Sequence, residues 1–122
     1  MRRIMVVDDS ETIRRLLSFI LKRKNYMTIE AEDGMDAIEK LLSNPVDLII
    51  VDLNMPNMDG IEFVRTLRGN YHQPDVPVIM LTTTKDEDLK KEALRAGVNL
   101  FLNKPISPEM LIYKVEGLLG RS

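Results

Sequence analysis

Four short apolar runs, residues 4–7, 48–51, 78–81 and 100–102, constrain this chain most, because none of them alternates with polar residues. A strand with one wet face alternates; an unbroken apolar run of strand length suits a strand covered on both faces, as in a parallel sheet flanked by helices. A fifth and weaker run, 27–31, alternates at Thr28 and Glu30 and suits an edge strand.

The intervening stretches carry helical period. Over 12–24, Ile13, Leu16, Leu17 and Ile20 fall on one face and Arg14, Arg15, Lys22 and Arg23 on others. A shorter helix over 36–42 stops at Asn44-Pro45, where proline disfavours helix in the residue before it. Ile61, Val64 and Leu67 mark a third helix, and a fourth over 86–96 ends at Gly97, a suitable C-terminal cap. Its apolar stripe of Leu89, Ala93 and Ala96 is thin, so this helix is expected to shift at modest cost. The last helix, 108–119, has Ser107 as a cap, Pro108 in the first turn, and Leu111, Val115, Leu118 and Leu119 as its inner stripe. Strand and helix alternate five times, which predicts an α/β fold with a doubly wound, five-stranded parallel sheet. At 122 residues, the chain is expected to form one domain, 1–122.

Composition excludes several functions. The net charge of −2 favours neither nucleic acid nor acidic membrane surfaces. Without cysteine there is no disulfide, thiolate metal site or thiol nucleophile. Met1-Arg2-Arg3 is followed by only four apolar residues, too few for a signal peptide, so a cytoplasmic location is expected. His72 has no second histidine with which to share a metal and is given no role.

Ligands of open parallel sheets bind outside the carboxyl ends of the strands, where the strand order reverses. There the sequence places Asp8-Asp9 after the first strand, Asp52 after the third, Thr82 after the fourth and Lys104 after the fifth. Carboxylates gathered at one rim repel each other and resist desolvation, so the set calls for a cation; oxygen donors favour Mg²⁺ or Mn²⁺. A carboxylate beside such an ion can attack phosphorus, which makes Asp52 the candidate nucleophile, with Lys104 and Thr82 able to hold the transferred group. Singly these residues have plainer readings: Asp8-Asp9 equally suits an N-cap, Thr82 a strand and Lys104 a surface.

In order along the chain, Val6-Val7-Asp8-Asp9-Ser10, Asp52-Leu53-Asn54-Met55-Pro56-Asn57-Met58-Asp59-Gly60, Leu81-Thr82-Thr83 and Asn103-Lys104-Pro105 resemble the motifs of bacterial response-regulator receiver domains. The resemblance implies a flavodoxin-like strand order 2-1-3-4-5 and phosphoryl acceptance on Asp52 from a sensor histidine kinase or histidine phosphotransfer protein. It implies a metal held by Asp8, Asp9, Asp52 and the backbone carbonyl of Asn54. Thr82, Lys104 and Phe101 then correspond to the switch residues, and the bond before Pro105 to a cis peptide. The face built from the helix over 86–96, the strand near 100–104 and the last helix becomes the output surface for a downstream protein, in a monomer or a weak phosphorylation-dependent dimer. Thr83 stands where a smaller residue is frequent, and Phe101 lacks a tyrosine hydroxyl. Phe19 falls off the inner stripe of the first helix, and as an exposed aromatic it is a candidate kinase contact.

Other classes fit less well. An aspartyl phosphatase of haloacid-dehalogenase type resembles Asp-x-Asp at its nucleophile, whereas Asn54 stands in the second position here. The acidic Asp8-Asp9-Ser10-Glu11 loop repels a flavin phosphate, and no P-loop pattern is present. An unphosphorylated interaction module would not need Asp8, Asp9, Asp52 and Lys104 together.

Overall fold

The computed structural model describes residues 1–70 and 74–120; His72 lies outside the described residues. Its elements run β1 (Arg3–Val7), α1 (Glu11–Lys22), β2 (Met27–Ala31), α2 (Gly34–Leu41), β3 (Leu48–Val51), α3 (Gly60–Asn70), β4 (Val78–Thr82), α4 (Glu87–Ala96), β5 (Leu100–Asn103) and α5 (Pro108–Leu119). The five strands are parallel in the order β2-β1-β3-β4-β5, the doubly wound sheet expected. The run at 27–31 is indeed an edge strand, paired only with β1 among the described strands. The run at 100–102, expected to be covered on both faces, is instead the other edge, paired with β4 and only partly buried, because no strand lies beyond it among the described residues.

Successive side chains of a strand point to opposite faces, and each face has its own core. Met5, Val7, Ile49, Val51, Val78 and Met80 pack under α2, α3 and α4 with Phe63, Val64 and Leu67. Ile4, Val6, Leu48, Ile50, Ile79 and Leu81 pack under α1 and α5 with Leu17, Leu21, Leu111 and Val115. Burial of each such aliphatic or aromatic side chain contributes about 1.5–3 kcal/mol. Only Ala93 of α4 is buried, with Leu89 and Ala96 partly so, which leaves that helix lightly held.

Local chemistry sets the helix ends. Ser10, Asp33, Asp86 and Ser107 cap α1, α2, α4 and α5 through side-chain oxygens that accept backbone N–H groups. Gly97 closes α4 at φ 117°, and the stem of Arg68 lies where a side chain on residue 97 would stand. Two inner stripes differ from the sequence expectation. On α1, Leu16 is exposed and Leu21 takes the buried place, because the helix meets the sheet along the Leu17–Leu21 line. On α5, Ile112 is buried while Leu118 and Leu119 are only partly covered near the helix end. Among the described residues, no helix is long and apolar enough to cross a membrane.

Candidate functional site

The sheet geometry brings the rim residues together. Val7 pairs with Val51, so the next residue of each strand, Asp8 and Asp52, leaves the sheet at the same level, and the Asp52 N–H donates to Val7 O at 3.0 Å. β1 has β2 on one side and β3 on the other, so the strand order reverses at this point. Carboxylate oxygens of Asp8, Asp9 and Asp52 all lie within 4.8 Å of one another. Asp8 is buried, Asp52 partly buried and Asp9 exposed, which leaves one side of the group open to solvent.

β5 lies two strands from β3, about 10 Å at the usual strand spacing, so only a long side chain reaches back to the aspartates. Lys104 does so: its Nζ donates to Asp8 Oδ2 at 2.7 Å and to Asp52 Oδ2 at 3.3 Å. Burial alone would lower the pKa of this ammonium, but the hydrogen bond to Asp8 and the charges of Asp52 and Asp8 outweigh it, and the net shift is upward. The remaining oxygens are held from below. Asp8 Oδ1 accepts from Ser10 N at 2.9 Å and Asp52 Oδ1 from Leu53 N at 2.7 Å. Arg14 steadies the same loop by donating to the Asp8 carbonyl at 2.7 Å.

One ammonium among three carboxylates leaves two negative charges, which one divalent cation balances. The donors are carboxylate oxygens, the hard set that suits Mg²⁺ or Mn²⁺. The residues present therefore fit such an ion.

Loop β3–α3 wraps the site. Gly60 starts α3 against the backbone of Asp52, where a Cβ would stand 2.3 Å from the Asp52 carbonyl oxygen. Asn57 adopts φ 69°, a left-handed conformation that asparagine tolerates, and its Nδ2 donates to Asp33 Oδ2 at 3.0 Å. The N–H of Asp36 and this amide hold the Asp33 carboxyl below the usual aspartate range, against the opposing effect of burial. The Pro56-Asn57 pair could have signalled the turn, but nothing in the sequence points from Asn57 to Asp33.

Not every candidate joins the cluster. Thr82 is fully buried, and its Oγ accepts from Thr84 N at 3.3 Å. Asn54 is exposed and donates through Nδ2 to Thr84 Oγ at 3.0 Å. Phe101 is half-buried against the core shared with α4. The Lys104–Pro105 peptide bond is cis. Phe19 stands apart on α1, 58% exposed, in a groove shared with Leu16, Ile112 and Tyr113. Sequence reasoning gave no role to Asn103, whose amide donates to the carbonyls of Thr82 and Thr84 at 3.2 and 2.6 Å.

Residues 4–116 match the family described as response regulator receiver domain. The chain is 40% identical over 120 residues to chemotaxis protein CheY1 of Helicobacter pylori, covering 97% of each. It is 42% identical over 120 residues to the transcriptional regulatory protein ResD of Bacillus subtilis, where it spans 98% of this chain but only 49% of that protein. Among solved structures, Vibrio cholerae chemotaxis protein CheY4 superposes with a TM-score of 0.92 at 36% identity, over 98% of this chain and 99% of that one.

Proposed function

This chain belongs to the family of response-regulator receiver domains, and on that premise we propose that Asp52 is the residue on which it carries a phosphoryl group. It is a two-component signalling switch. The observation that supports Asp52 is the cluster of Asp8, Asp9 and Asp52 with the Lys104 ammonium in contact with two of its members.

Asp8, Asp9, the Asp52 carboxylate and the Asn54 carbonyl would hold Mg²⁺ or Mn²⁺, which supplies charge neutralisation for both the nucleophile and the phosphoryl oxygens. An Asp52 carboxylate oxygen forms the new bond to phosphorus as the bond from phosphorus to a donor histidine nitrogen breaks. Lys104 then pairs its ammonium with a phosphoryl oxygen, and Thr82 turns its hydroxyl toward another. These are the positioning and charge-stabilising tasks that phosphoryl transfer asks of a protein. In this reading the chain promotes its own phosphorylation and slow dephosphorylation but is modified once per cycle, so it is a switch and not a turnover enzyme.

The donor is a sensor histidine kinase or histidine phosphotransfer protein, met in part through Phe19. Thr82 and Phe101 report the phosphoryl group to the α4-β5-α5 face, where a downstream protein binds. The light burial of α4 supports this, since a lightly held helix moves at low cost. We assign residues 1–122 to one receiver domain in a cytoplasmic chain, monomeric or weakly dimeric when phosphorylated, with no direct nucleic-acid or membrane partner. Chemotaxis and phosphorelay are both compatible pathways.

Intact-protein mass after incubation with acetyl phosphate, with and without Mg²⁺, tests the reading. The expected result is one phosphoryl adduct on the native chain, absent without metal and absent in Asp52→Asn. An Mg²⁺-independent adduct, or one that survives in Asp52→Asn, would overturn it.

A further inference from the structure

The loop between β4 and α4 is gripped from two sides at one residue. Asn103 Nδ2 donates to Thr84 O at 2.6 Å and to Thr82 O at 3.2 Å; both acceptors are carbonyls, which fixes the nitrogen end of the amide. From the opposite side, Asn54 Nδ2 donates to Thr84 Oγ at 3.0 Å. Thr84 in turn donates its own N–H to Thr82 Oγ at 3.3 Å, so the buried threonine hydroxyl faces its own loop.

We propose that Asn103 is a positioning residue that latches this loop in the resting arrangement, and that release of the latch accompanies phosphoryl binding by Thr82. The inference rests on the assignment of Asp52 as phosphoryl acceptor. In the resting arrangement the Thr82 hydroxyl accepts from Thr84 N; when Thr82 turns that hydroxyl toward a group on Asp52, as in the reading above, this bond is given up and the loop shifts at Thr84. Thr84 is the residue that then moves, and it is the residue that Asn103 and Asn54 both hold. Bonds made in one of two competing arrangements lower the apparent affinity of any ligand that selects the other.

Strand alternation adds a second link. Asn103 and Phe101 are two residues apart on β5, so they share a face, and Phe101 packs into the core that includes Leu89, Ala93 and Ala96 of α4. Latch, aromatic residue and lightly held helix therefore lie on one side of the sheet. Release at Thr84 frees the segment that leads directly into α4.

The test is the affinity of beryllofluoride, a phosphoryl mimic, measured by titration calorimetry at saturating Mg²⁺ for the native chain, Asn103→Ala and Asn103→Ser. The Mg²⁺ affinity and melting temperature of each are measured alongside. Removing a two-bond amide that favours the resting loop should tighten beryllofluoride binding by about three- to tenfold, with Mg²⁺ affinity unchanged. A merely structural role would weaken binding or leave it alone, so the sign separates the two. Equal or weaker binding by both variants, with the native chain binding normally, overturns the latch and leaves the Asp52 assignment standing. If the native chain binds no beryllofluoride and forms no adduct with acetyl phosphate, both fall. Should Asn103→Ala fail to fold, the serine variant, too short to reach both carbonyls, decides the outcome.

Discussion

Lys104 Nζ donates a 2.7 Å hydrogen bond to Asp8 Oδ2 across 96 residues of chain, which ties the end of β5 to the end of β1. The ammonium stands where it repels a second cation, and it also pairs with Asp52 at 3.3 Å. Lys104→Met removes both effects. A unit charge within several ångströms of a divalent ion at a partly exposed site is worth on the order of 1–3 kcal/mol, so Mg²⁺ should bind about tenfold more tightly. Phosphoryl acceptance should nonetheless slow by about a hundredfold, as for loss of one preorganised donor to a developing anion. Calorimetry with Mg²⁺ and a time course of adduct mass check both; weaker Mg²⁺ binding would contradict the electrostatic argument.

Gly60 stands where no side chain fits. Its Cβ would meet the Asp52 carbonyl oxygen at 2.3 Å, and backbone cannot yield as a flexible side chain can. Gly60→Ala should destabilise the fold by about 2 kcal/mol, read from urea unfolding. It should also slow adduct formation by at least roughly tenfold, because displaced reacting groups lose rate steeply.

Asp33 links acid stability to the loop that carries Asp52. Its folded pKa lies below its unfolded value, so it contributes stability above the unfolded pKa, about 3.9, which is lost as pH falls through the folded value. Asp33→Asn keeps a capping oxygen but loses the charge-assisted bond to Asn57. The native chain should exceed this variant by about 1–2 kcal/mol near neutral pH, and the gap should close below pH ~4. Urea midpoints from neutral to acid pH test this; a gap that widens in acid would reverse the assigned sign.

Phe19 separates donor recognition from chemistry. Because it is 58% exposed, Phe19→Ala should change stability by no more than about 0.5 kcal/mol. Adduct formation from acetyl phosphate should be unchanged, while transfer from a phosphorylated histidine kinase falls by about tenfold, as for loss of a moderate interface anchor. Equal transfer rates would remove Phe19 from the contact surface.

Much of the fold was legible along the chain. Unbroken apolar runs marked β1, β3 and β4 as covered strands, though the run at 100–102 proved a partly buried edge, and Ser107-Pro108 and Gly97 marked helix ends, because capping and turn chemistry are decided within a few residues. The rim residues were legible for a related reason: in a parallel sheet, whatever follows each strand arrives at one edge. Tertiary structure alone decided which of them touch. Leu16 and Leu21 are both good helix residues, and only the direction in which α1 crosses the sheet exposes one and buries the other. Asn57 meets Asp33, and Asn103 meets Thr84, because strand order and register bring distant loops together. A polar side chain carries no mark of its partner. A hydrogen bond needs donor and acceptor within about 3 Å, and for residues far apart in the chain that distance is set by the packing of the whole sheet.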